Sequence, residues 1–121
     1  MFLNLKHTEL KVFQLTRELV LKCYALTKHF PSEEKFNLTS QIRRAVLSVH
    51  LNIAEGSSRK SVAERKRFFE ITRGSLVELD TAFDIAFELG YGKIESDETI
   101  GRLIIDTFKM LSALIEKTKA T

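Results

Sequence analysis

The stretch Gly56-Ser-Ser-Arg-Lys-Ser61 gathers one glycine, three hydroxyls and two cations directly before an expected helix. Backbone and hydroxyl donors, positive charge and the positive end of a helix dipole all suit a phosphate oxygen. The cations continue into the helix as Arg65, Lys66 and Arg67. Arg59, Lys60, Arg65, Lys66 and Arg67 are therefore the candidate nucleic-acid contacts. The plain alternative is a capping loop followed by a solvated helix face. Aromatic residues interleaved with the cations, which would mark stacking platforms for single strands, are missing. Phe68 and Phe69 follow the basic run but fall on apolar seams.

A second set of polar residues lies in an apolar setting. Gln41, Arg44, Ser48, Asn52 and Glu55 are spaced 3, 4, 4 and 3 and run up one line of a helix. An enclosed amide must find partners or cost about 1–3 kcal/mol. Asn52, Ser48 and Gln41 are thus expected to form an interhelical or intersubunit network that fixes register, as a buried asparagine does in coiled coils. Arg73, Ser75 and Glu78 supply a matching polar interruption on the next helix. If Glu55 and Glu78 are buried they need cationic partners, and Arg44 and Arg73 are the nearest in the pattern.

Read as catalytic groups, these carboxylates fall short. Di-metal helical bundles use Glu-x-x-His steps, and none of His7, His29 or His50 has a glutamate three residues before it. No metal site or cofactor is expected. Cys23 falls on a core stripe, where a free cysteine behaves as a small hydrophobe. No catalytic residue and no enzyme activity are expected.

Four helices must position these residues. Val12, Leu15, Leu19, Cys23, Leu26 and Phe30 recur every 3 or 4 residues, predicting a helix over 8–29 that Pro31 ends. A second is predicted over 38–55, with Asn37 as its cap and Gly56 as its stop. Ser61 and Glu64 form a capping box that opens a third over 62–89. Ser96, followed by Asp97 and Glu98, opens a fourth over 97–117. The short connections predict one domain, residues 1–121, folded as an all-α, antiparallel up-down-up-down four-helix bundle. Leu19, Val49, Ile53, Leu76, Phe83, Leu111 and Leu114 are the expected core.

Two of these helices have more apolar surface than one bundle needs. Beside the stripe Leu38, Ile42, Ala45, Val46, Val49 and Ile53, the second helix carries Leu47, Leu51 and Ala54. Beside Phe69, Thr72, Leu76, Leu79, Phe83 and Ala86, the third carries Phe68, Ile71, Ala82 and Ile85 in a second seam. Surplus apolar faces point to self-association. Leu47, Leu51, Phe68, Ile71, Ala82 and Ile85 are the expected oligomer interface.

The composition agrees with a soluble helical domain: 121 residues, 44% hydrophobic, 29% charged, one proline and five glycines. No apolar run approaches the ~20 residues that span a bilayer. The opening residues lack the features of a signal peptide, so a cytoplasmic protein without membrane contact is expected. Net charge is only +3, but unevenly spread. Residues 1–60 hold ten Lys/Arg against five Asp/Glu, and residues 61–121 hold nine against eleven.

Several multi-residue motifs fall in one order: Phe30-Pro31, Glu34, QIRRA over 41–45, Ser48, NIAEG over 52–56, Arg59, RFF over 67–69, RGSLVEL over 73–79 and LGY over 89–91. In these the chain resembles a bacterial four-helix-bundle family that includes the proteins encoded in intervening sequences of large-subunit ribosomal RNA genes, also labelled the S23 ribosomal protein family. That family is related in shape to the accessory variability determinant protein of diversity-generating retroelements, a basic homopentameric barrel that binds nucleic acid and a reverse transcriptase. The resemblance implies a four-helix bundle and a homopentamer. The combined expectation is a non-enzymatic oligomer that contacts RNA or DNA through a basic rim, with another protein as a further partner. The competing expectation is a structural or adaptor oligomer that binds protein alone.

Overall fold

The computed structural model describes residues 1–92 and 94–118, leaving aside the side chains of Thr8, Glu9, Ile94, Glu95, Ser96 and Asp97. Four α-helices make up the fold: α1 (Lys11–Thr27), α2 (Leu38–Ser58), α3 (Val62–Glu88) and α4 (Ile94–Lys117). Short 3-10 turns cover Lys6–Glu9 and Ser32–Glu34, and no strand occurs among the described residues. Helix α1 packs on α2 and α4, and α3 packs on the same two, so the four surround one core.

That core is built from the predicted stripes. Leu19, Val49, Ile53, Leu76, Leu79, Phe83 and Leu111 are all sealed from solvent, while Leu114 is half-buried at the edge. All six residues of the first α3 seam, from Phe69 to Ala86, are buried. Thr72 joins them by turning its hydroxyl back to the Phe68 carbonyl at 3.0 Å, a bond that satisfies a polar group within its own helix.

Both chain reversals near one end of the fold are tied together. Gly90 takes φ +83°, the Gly90 amide donates to Phe87 and the Tyr91 amide to Ala86. This is a Schellman ending, which requires a left-handed residue and so favours glycine. It swings Tyr91 over Phe30, with ring centroids 5.3 Å apart, and lets its hydroxyl donate to Glu34 at 3.0 Å. That hydrogen bond, chiefly, raises the Tyr91 pKa.

Three helix boundaries lie three residues from expectation, and the ends of α1 and α3 one or two. The first helix begins at Lys11, because Leu10 is extended and separates it from the 3-10 turn. Helix α4 begins at Ile94, so the expected opening at Ser96 falls inside it; the side chains of Ser96 and Asp97 lie outside the described residues. Helix α2 does not stop at Gly56 but runs on to Ser58. A Cβ built on Gly56 would lie 2.9 Å from Phe68 Cβ and 2.9 Å from Phe69 Cε1. Gly56 is there to let α3 come close, and Arg59, extended at the C-cap, ends the helix. Asn37 occupies the N-cap of α2 without capping it through its side chain, which instead reaches the Glu33 carbonyl.

Candidate nucleic-acid interface and polar seam

Because Gly56, Ser57 and Ser58 are helical, the connection between α2 and α3 shrinks to Arg59, Lys60 and Ser61. The expected phosphate-binding loop over 56–61 is therefore a tight turn. Ser61 Oγ accepts from the Glu64 amide at 3.3 Å, the serine half of the capping box. Two of the five candidate cations hold this turn in shape. Arg65 Nη1 donates to the carbonyls of Lys60 (2.8 Å) and Arg59 (3.1 Å). Arg59 pairs with Glu55 one helical turn back, at 2.6 Å, and lies 4.9 Å from the centre of the Phe68 ring. Lys60 and Lys66 have no such tie, and Arg67 has only the Phe68 ring, 5.8 Å from its guanidinium; Lys60 and Arg67 are exposed and Lys66 is half-buried. The turn and the first turns of α3 thus carry two exposed cations, Lys60 and Arg67, and half-buried Lys66 on a frame built by the other two. Just behind it, Ser57 Oγ and Arg59 Nε are enclosed without a hydrogen-bond partner.

The polar line on α2 separates into a network and a solvated edge. Ser48 Oγ and Ser75 Oγ lie 2.8 Å apart, joining α2 to α3. Asn52 Nδ2 donates to the Ser48 carbonyl (2.9 Å) and to Ser48 Oγ (3.0 Å). Gln41 and Arg44 are exposed and stand apart from it, and Arg73 makes none of its bonds. Glu55 and Glu78 are exposed as well, so neither needs a buried cation; Arg59, not Arg44 or Arg73, partners Glu55. The core stripe faces inward on both helices, which leaves the flank carrying these residues at the surface.

Apolar residues border the network. Leu51 is 59% exposed, Ile85 49% and Ile71 39%, while Leu47, Phe68 and Ala82 are half-buried. All six expected interface residues therefore lie at or near the surface of a single chain, around a half-buried Ser48–Asn52–Ser75 cluster.

Three features had not been anticipated. Arg43 caps the end of α1 from α2: Nε donates to Thr27 Oγ1 (2.9 Å), Nη2 to the Tyr24 carbonyl (3.4 Å), and the guanidinium lies 4.6 Å from the Tyr24 ring centre. A cation belongs at that negative helix end. His50 stacks on Phe13 at 4.3 Å, and buried His7 meets the same ring edge-on at 4.9 Å. Thr16 Oγ1 donates to the Phe13 carbonyl (3.1 Å) and lies 2.7 Å from His50 Nδ1, a contact whose direction follows the imidazole tautomer. Burial first, then Arg17 and His7, lowers the His50 pKa. A position flanking the core stripe of α2 is the one signal for His50 in the sequence.

Cys23 is fully buried, and burial pushes its thiol up to about 12, so it is a packing residue without thiolate character at neutral pH. No group of three or more His, Cys, Asp or Glu suited to a metal occurs among the described residues. No described helix is long and apolar enough to cross a membrane.

A sequence model of the family described as 23S rRNA-intervening sequence protein matches residues 8–113. The chain belongs to that family. The match spans α1, α2, α3 and most of α4, and so contains both the polar seam and the basic turn of this intervening-sequence family protein. The fold is similar to the crystal structure of a protein of unknown function from the S23 ribosomal protein family of Bacteroides thetaiotaomicron, with a TM-score of 0.79 and 24% identity over 86% of this chain and 97% of that one. At that identity the likeness speaks to fold alone. No curated protein matches the chain.

Proposed function

We infer that this intervening-sequence family protein is a non-enzymatic, cytoplasmic homo-oligomer that contacts RNA or DNA through the turn between α2 and α3. Each copy is an antiparallel up-down-up-down bundle. Supporting that arrangement, Thr16 meets His50 and Thr27 meets Arg43 along α1 and α2, while Ser48 meets Ser75 and Gly56 meets Phe69 along α2 and α3. In each pair of helices the numbers rise on one as they fall on the other.

The observation that carries the reading is the exposed apolar border of the α2–α3 flank, from Leu51 to Ile85, around a partly enclosed polar cluster. A polar cluster inside an apolar face gives a contact register as well as affinity. Five copies, the number the family resemblance implies, would repeat Lys60, Lys66 and Arg67 around one rim. A single copy offers few phosphate contacts; a ring offers several at once.

The test is fluorescence anisotropy on mixed-sequence RNA and DNA, titrated at rising salt from ~50 mM, where the log–log slope is about −0.9 per phosphate contacted on duplex DNA and about −0.7 on single strands. Changing Lys60, Lys66 and Arg67 together to glutamine should flatten that slope with the oligomer unchanged, since Arg59 and Arg65 keep the turn. Absence of binding at low salt, or binding indifferent to the triple change, overturns the nucleic-acid reading in favour of an adaptor that binds protein alone.

A further inference from the structure

On the opposite flank of α3, away from the Leu51–Ile85 face, the packing of α3 on α4 leaves a cleft at the surface. A groove of about 380 Å³ runs between them, lined by Asp80, Thr81, Phe83, Asp84 and Phe87 of α3 and by Ile100, Gly101 and Ile104 of α4. Its floor is apolar. Phe83, Ile100 and Ile104 are buried core residues seen from outside, and Phe87 stacks on Phe83 at 5.2 Å. A Cβ added at Gly101 would meet nothing within 4 Å, so the missing side chain is part of what keeps the groove open.

The rim is acidic. Asp80 and Asp84, one helical turn apart, are exposed and take part in no salt bridge among the described residues. No lysine or arginine occurs between Arg73 and Lys93, and Asp80 and Asp84 are the only charged residues lining the groove. The rim therefore repels phosphate and attracts cations, the reverse of the α2–α3 turn. An apolar floor under two carboxylates matches the long side chain of arginine or lysine, whose stem lies on apolar surface while its head stays at the polar edge. Two carboxylates on one helix face, with no third carboxylate among the lining residues and the Thr81 hydroxyl turned to the Val77 carbonyl, do not make a cage for a bare metal ion.

The geometry points to a docking groove for a basic, amphipathic segment of another protein, which lays an apolar side chain on half-buried Phe87, above Phe83 and Ile104, and turns an arginine or lysine toward Asp80 and Asp84. This is a second surface, independent of the nucleic-acid reading. It lies on the other side of the α3 core stripe from Leu51, Ile71 and Ile85.

The experiment is an amide-resolved NMR titration of the full chain with a helical peptide of leucine, alanine and arginine, beside the same peptide with glutamate in place of arginine. The arginine peptide should shift the amides of Asp80, Asp84, Phe87 and Gly101, and the glutamate peptide should not. Asp80→Asn with Asp84→Asn should weaken binding about tenfold, the scale of two exposed charge pairs. Gly101→Leu, whose side chain enters the groove rather than the core, should abolish binding in a chain that remains folded. Equal binding of both peptides, shifts confined to the Leu51–Ile85 face, or affinity unmoved by either variant overturns the proposal.

Discussion

Gly56 and Gly101 each lie within a helix that packs on α3, and they do opposite things. At Gly56, α3 presses so close that a methyl group would strike Phe68 and Phe69; at Gly101 there is nothing to strike. One flank of α3 is thus closed against α2, continuing outward into an apolar face, and the other is open toward α4 over an acidic groove. The same residue type marks a tight contact in one place and an unfilled space in the other. What a helical glycine means is decided by its neighbour across the interface, not by its own helix.

The largest effect expected bears on what the two flanks share. Leu76 lies on the core stripe between them and is 1% exposed, so Leu76→Ala should cost about 2–5 kcal/mol in urea unfolding, within the range for buried leucine truncations. A loss under 1 kcal/mol would mean that α3 has no common core to divide.

Next comes the closed flank. Gly56→Ala should destabilise the chain by about 1–3 kcal/mol, as overpacking does, despite alanine's better helix propensity. Stabilisation instead would show that the α2–α3 approach is loose. The open flank should respond with the other sign: Gly101→Ala should stabilise by up to ~1 kcal/mol, because it relieves a helical glycine without meeting another atom. Thermal melts of the two variants side by side test the contrast between the flanks.

A milder effect belongs to the α1–α2 seam. The His50 pKa is lowered in the folded chain, so the unfolded chain binds more protons as pH falls from about the ordinary histidine value of 6.5. Stability should be full above that value and decline below it. His50→Gln should make the decline shallower in melts between pH 7.5 and pH 5. An unchanged slope would assign the decline to other groups.

The sequence made the closed parts of the fold legible and left the contacts between distant segments obscure. Phe69, Leu76 and Phe83 are readable as core because helical periodicity is local, and Leu51 and Ile85 are readable as surplus because they break away from that stripe. Gly56 reads as a helix stop because a glycine after NIAE matches one, while Phe69, which explains it, lies thirteen positions on. Arg59 and Arg65 read as free cations since nothing in a basic run tells which members turn back to hold carbonyls. Asp80 and Asp84 look like an ordinary solvated face until α4 supplies Ile100 and Gly101 opposite them. For the same reason, Ser48 and Ser75 could be assigned to polar lines on two helices but not to each other.

A ring with a basic rim requires the apolar border of the α2–α3 flank to be buried between copies. Sedimentation equilibrium on the unmodified chain and on Leu51→Glu, both at micromolar concentration and with helix content followed by circular dichroism, tests it directly. The unmodified chain should sediment as an assembly, with five copies expected, and the variant at single-chain mass with its helices retained. A single-chain mass for the unmodified protein, or an assembly that Leu51→Glu leaves intact, would contradict the account.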